Sequence, residues 1–235
     1  MRGAEGRRVR SHVRCSRRVL GASVRQPLRY LPVVSPLETL GFALGTSFAS
    51  GLNLYLTVAV AGLLQRFGVV QLPDSLQVLG TPVVLGLALA LFVIEFIADK
   101  VPYVDTVWDA VHTFIRPPAA ALLSYSAFAG EGVPEVWQLG AALLAGSVAL
   151  TSHGAKASTR AAANVSPEPV SNWTLSLLED GVVVFLAWMA AEHPLITAGI
   201  VVVLVIAATF VIWKLFGFLR RALLRLRDGP TPAAP

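Results

Sequence analysis

The 235-residue chain is 55% hydrophobic and only 14% charged, with a mean hydropathy of +0.66. Soluble domains carry about 25% charged residues, so the composition points to a bilayer. The net charge of +5 is uneven: residues 1–35 hold nine arginines against one glutamate, and the remainder holds ten basic against thirteen acidic residues. A basic excess confined to one end argues against a nucleic-acid-binding body, and the lone Cys15 allows neither an internal disulfide nor a thiolate metal site.

Residues 1–35 lack the apolar core of a secretory signal. They are Arg- and Ser-rich and poor in acid, which imitates an organelle transit peptide. The segment reads rather as a disordered arm near anionic lipid, or as residues upstream of the true start. It is expected to be an extension of a helical membrane domain over residues 36–220.

A crossing helix needs about 20 apolar residues. Residues 38–64, 81–98, 136–152 and 194–216 supply four candidates. Residues 104–130 supply a fifth if the helix is kinked at Pro117–Pro118. A sixth, 171–191, carries Glu179 and Asp180 near its middle and starts with Ser171 or Asn172 as a cap. These elements predict an all-α, polytopic transmembrane bundle of about six spans with kinked or broken helices.

An even number of spans puts both termini on one side, and the basic "RRALLRLR" places that side in the cytoplasm. The loops near Lys100 and near Lys156 and Arg160 then share it. The opposite loops hold Asp74, Glu131, Glu135 and Glu192, with Arg66 their one basic residue. Residues 221–235 form a basic, then Pro/Ala-rich, cytoplasmic tail. Residues 83–130 and 137–191 also repeat one order of apolar helix, charged stretch, proline pair and apolar helix. This is a possible two-fold internal repeat.

Polar residues interrupt these spans at four places. In "TSFASGLNLYLT" (46–57), Gly and Ser permit close packing or local unwinding, and Asn53 needs a polar partner. In "EFIADKVPYVDTVWDAVHTFIRPP" (95–118), Asp105, Asp109, His112 and Arg116 step by four, three and four, within roughly 60° of one helix face. Glu95 and Asp99 precede them four apart. Asp99, Lys100 and Asp105 suit the water interface, whereas Glu95 lies inside the apolar run, where a carboxylate usually faces a protein or water-filled interior.

In "SHGAKASTRAAAN" (152–164), His153, Lys156, Arg160 and Asn164 make a basic face among small residues, suited to pairing with the acidic face or holding a phosphate. Glu179 and Asp180, being adjacent, point about 100° apart. At most one can face a given partner, and a buried pair with Arg160, Lys156 or Arg116 is expected. Two carboxylates and an imidazole on one face invite a divalent cation, but the ligand count is too small for a metal site.

The blocks "ASGLNLYLT", "EFIADKVPYVDTVWDAVHTFIRPPAAALL" and "SHGAKASTRAAANVSPEPVSNWTLSLLED" resemble the signature stretches of the bacterial domain of unknown function 4126 family. The resemblance covers residues 38–220 and excludes the Arg-rich start. It implies a small multi-pass membrane protein without an assigned activity, so it brings no catalytic or ligand-binding residues.

Three functions fit these observations. One is transport of a small ion or solute through a polar pathway of Asn53, Glu95, Asp99, Asp109, His112, Arg116, His153, Lys156, Arg160, Glu179 and Asp180. Another is a membrane enzyme or binder acting on an anionic lipid headgroup, and a third is a scaffold whose buried charges fix helix registry. The chain lacks a phosphate loop, a nucleophile elbow, paired zinc histidines and a nucleotide motif. The reading therefore leans away from an enzyme and assigns no cofactor and no metal. The expected partners are the lipid bilayer of the bacterial cytoplasmic membrane and a small ion or anionic solute, not nucleic acid, and no oligomeric state is implied.

Overall fold

The computed structural model describes residues 35–101, 103–130, 132–163 and 169–227, with the side chains of 169–172, 219 and 221–227 excepted. Residues 1–34 of the Arg-rich extension, Glu131, Asn164, the Ser171 or Asn172 cap and the side chains of the tail lie outside the described residues. Among the described residues every regular element is a helix.

The first helix, α1 (Pro36–Leu52), starts because Ser35 and Glu38 form a reciprocal cap: the Glu38 N–H donates to Ser35 Oγ at 3.3 Å, and the Ser35 N–H donates to the Glu38 carboxylate at 2.8 Å. Pro36 occupies the first turn, where its missing donor does no harm. The sequence suggests one span over 38–64; the structure breaks it. Asn53 adopts an extended backbone (φ −150°, ψ 102°), ends α1 and begins α2 (Leu54–Arg66). Its side-chain oxygen accepts from the Leu56 N–H at 3.0 Å, capping the new helix.

A 3₁₀ turn, Asp74–Gly80, leads into α3 (Pro82–Ala98) with a bend of 64°. α4 (Val104–His112) and α5 (Arg116–Phe128) follow. The expected kink at Pro117–Pro118 is instead a break over 113–115, and the prolines sit in the first turn of α5. The long helices α6 (Glu135–Ala163), α7 (Pro169–Glu192) and α8 (Pro194–Arg227) complete the chain.

Central α1 packs against α5, α6, α7 and α8. Its inward faces are small: Gly41, Ala43, Gly45, Ser47, Ala49, Ser50 and Gly51 are all buried, which lets neighbouring helices approach closely. A side chain at Gly51 would collide with Ala149 and Ser152 of α6. One core cluster gathers Phe48, Leu56, Val148, Val183, Leu186 and Val201.

The outward surface is the reverse of a soluble protein's. Val83, Trp137, Leu143, Phe114 and Ile206 are all at least 66% exposed, the surface a bilayer would cover. Two helical stretches are long and apolar enough to cross, Trp173–Glu192 and Pro194–Phe218, and the bent pair Asp74–Gly80 with α3 makes a third if it is one broken span. The chain is therefore read as a membrane protein. The segments compared as a repeat differ: the first contains α3, α4 and α5, the second only α6 and α7.

Candidate functional site

The break at Asn53 creates a problem at its own location: the last carbonyls of α1 have no partners within the helix. Side chains from two other helices supply them. Arg116, at the start of α5, donates from Nη1 to Gly51 O at 3.1 Å, and Lys156 of α6 donates to Leu52 O at 3.0 Å. Cations at helix C-termini also complement the axial dipole. The end of α3 is treated the same way, with Arg160 Nη1 donating to Asp99 O at 2.7 Å.

Having been drawn inside, these cations are surrounded by acids. Arg116 Nη2 donates to Glu95 Oε1 at 2.6 Å, and its Nη1 lies 3.4 Å from Asp109. Lys156 Nζ lies 3.0 Å from Asp99, 3.6 Å from Glu95, 3.7 Å from Glu179 and 4.0 Å from Asp109. Arg160 pairs with Glu179 at 2.6 Å, Asp99 at 3.1 Å and Asp105 at 3.9 Å. Glu95 and Arg116 are wholly buried.

The sequence placed Asp99 and Asp105 at the water interface, and the structure corrects that: both are buried, because Arg160 and Lys156 reach across from α6. Lys100, half-buried, remains at the margin. It donates to Ser176 Oγ at 3.2 Å and sits over the Phe96 ring. Burial lowers its pKa below the usual lysine range, while Asp180 and Asp99 act to raise it. As their spacing requires, Glu179 turns to Arg160 and Asp180 turns elsewhere, its Oδ1 accepting from Asn53 Nδ2 at 3.1 Å.

The two histidines have definable protons. A guanidinium only donates, so His153 Nδ1, 2.7 Å from Arg116 Nη1, is an acceptor. Its Nε2 therefore carries the hydrogen, facing Asp109 O at 3.0 Å and Thr113 Oγ1 at 2.9 Å, and His153 is neutral. His112 is the opposite case: Nδ1 faces the Trp108 carbonyl at 2.8 Å and must be the donor. Its Nε2 meets Tyr55 Oη at 3.0 Å, a hydroxyl able to donate or accept, so this imidazole can gain a proton without losing a partner.

All eleven residues singled out in the sequence thus fall in or beside one cluster, built from α1–α2, α3, α4, α5, α6 and α7. Sequence reading missed Tyr55 and Thr113 as members. Tyr55 had a signal, since a tyrosine hydroxyl within an apolar helix needs a partner; Thr113 had none. The cluster is not charge-balanced. Among the described residues, Glu95, Asp99, Asp109 and Glu179 share three cations, and Asp105 lies 3.9 Å from one of them. Asp180 and Lys100 at its edge add one charge of each sign.

Among the described residues, Glu95 Oε2, Asp99 Oδ1 and Asp109 Oδ1 have no hydrogen-bond partner. Among the described residues no three His, Cys, Asp or Glu side chains converge in a geometry for a metal ion.

A helical bundle with apolar outward surfaces, two helices long enough to cross a bilayer and a core of ion pairs reads as a membrane protein with a polar interior cluster. Residues 40–214 match the family described as Domain of unknown function (DUF4126), and the chain belongs to that family. No curated protein matches the chain. No solved structure matches it either.

Proposed function

We propose that the chain is a small transporter whose buried network takes up and releases protons, coupling them to passage of a small ion or solute. The observation that carries this is the surplus of acid. A set of pairs kept only for registry is expected to balance, because each uncompensated buried charge costs several kcal/mol, on the order of the desolvation penalty. Among the described residues, four carboxylates (Glu95, Asp99, Asp109 and Glu179) around three cations, with His153 neutral, leave a negative charge for a proton or bound cation to offset. The His112–Tyr55 pair, one turn from Asp109 on α4, is a group through which protons can be passed. We place six crossings in the bacterial cytoplasmic membrane with both termini inside, on the strength of the basic terminal segments.

The test is reconstitution in liposomes with an internal pH dye, under gradients of sodium, potassium, chloride or small organic anions. The wild-type chain is expected to move protons with one of these gradients, and Glu95→Gln to abolish the signal while still inserting. Equal signals from wild type and Glu95→Gln would remove the proposal.

A scaffold is the second reading, favoured by the carbonyl contacts: all three cations cap backbone groups across helices. In that case the wild type carries no flux and the same substitutions alter melting alone. The headgroup-binding reading has weaker support, because Arg116, Lys156 and Arg160 are already held by carboxylates.

A further inference from the structure

α3 and α7 both pack on α2, yet share no comparable contact with each other. Between them lies a groove of about 600 Å³, walled by Phe92 and Phe96 of α3 and Phe185 and Trp188 of α7, with Leu56 of α2 at its floor. That volume is in the range of small-molecule sites, about 300–1,000 Å³. Among the residues lining it, Asp180 alone is ionisable. Phe185, Trp188 and Leu177 are exposed on the outer side of α7, itself one of the two helices able to cross a bilayer, so the groove opens laterally towards lipid.

Asp180 differs from every other acid of the cluster. Among the described residues it has no cation within ion-pair distance; its Oδ1 is held by Asn53 and its buried Oδ2 has no hydrogen-bond partner. The Lys100 ammonium is directed instead to Ser176 Oγ and the Phe96 carbonyl. Its Nζ lies 2.9 Å from the Phe96 ring centroid, so one aromatic wall of the groove already carries an ammonium on its face.

We propose that this groove binds a lipophilic ammonium, a molecule with an apolar or aromatic body and a protonated amine, taken in from the bilayer. The amine pairs with the Asp180 carboxylate at the groove wall and rests against the aromatic rings, while the body replaces lipid chains between α3 and α7. A neutral apolar molecule gains only the second of these. An anion meets the carboxylate and is excluded. The inference goes beyond the transport reading, since binding here requires no flux and leaves Glu95 untouched.

Gly181 supplies a second handle. A Cβ built there meets no atom within 4 Å, so Gly181→Leu adds its side chain to the groove lining.

The experiment measures thermal stabilisation of the full chain in detergent by phenylbutylamine, with phenylbutanol as the uncharged isostere. Saturable stabilisation by the amine is expected, with the alcohol at least about tenfold weaker, the effect of losing a charge-assisted hydrogen bond. Asp180→Asn, which keeps an acceptor for Asn53, is expected to reduce the amine to the level of the alcohol. Gly181→Leu is expected to weaken both ligands. Equal responses to amine and alcohol, an unchanged response in Gly181→Leu, or no saturable response overturns the proposal. If Asp180→Asn fails to fold, the amine–alcohol ratio and Gly181→Leu decide alone. Loss of proton flux in Glu95→Gln is read separately and bears only on the network.

Discussion

The two ends of α6 bury their inward faces by opposite means. Towards its start the buried positions are Ala142, Ala145, Val148 and Ala149, while Trp137, Leu139 and Leu143 face outward. Towards its end the buried positions are Ser152, His153, Lys156 and Arg160. The first half fits by smallness: α1 and α5 come close because little stands in the way. The second half fits by direction, each long side chain ending on a chosen oxygen. Packing by smallness fails gradually as volume is added, whereas packing by paired charge fails at once when one partner is lost.

The largest test of that contrast is Arg160→Met. It removes the partner of Glu179 and Asp99 and the donor to the Asp99 carbonyl. A loss of about 3–5 kcal/mol is expected, the cost of leaving one side of a buried pair uncompensated. Adding Glu179→Gln should return part of that loss, and a double variant no more stable than the single one would break the charge argument.

Next comes Ala149→Leu, wholly buried against α1. Its overpacking is expected to cost about 1–3 kcal/mol, read from detergent melting curves. An effect equal to that of Arg160→Met would erase the distinction between the two ends. The smallest effect belongs to Leu143→Ala on the outer face, 73% exposed. A change within about 0.5 kcal/mol is expected in detergent, and a larger one would show that this face is covered by protein rather than lipid.

Much of this was legible beforehand. The helical class follows from the long apolar runs. The members of the charged cluster were found because ionisable residues within such runs are costly unless they meet one another. Their convergence was harder to see, since Glu95, Arg116, Lys156 and Glu179 come from four different helices and only the folded arrangement unites them.

Two local features escaped. Asn53 was read as a polar residue in need of a partner, but its dual use, ending one helix while capping the next, depends on donors from α5 and α6 that no local pattern announces. The proline pair was read as a kink, yet proline is equally at home in a first turn, and α5 uses it there. Asp99 and Asp105 resemble interface residues because their pairing cations, Lys156 and Arg160, lie on α6, far along the chain and beyond any spacing rule.

Lys156 has one consequence of its own. Its ammonium stands within 4.0 Å of four acids from three helices: Glu95 and Asp99 of α3 and its C-terminal cap, Asp109 of α4 and Glu179 of α7. A nitrogen label on that single side chain would act as a built-in electrometer. Any proton arriving on one of those acids, whichever helix it belongs to, would shift the same spectroscopic line.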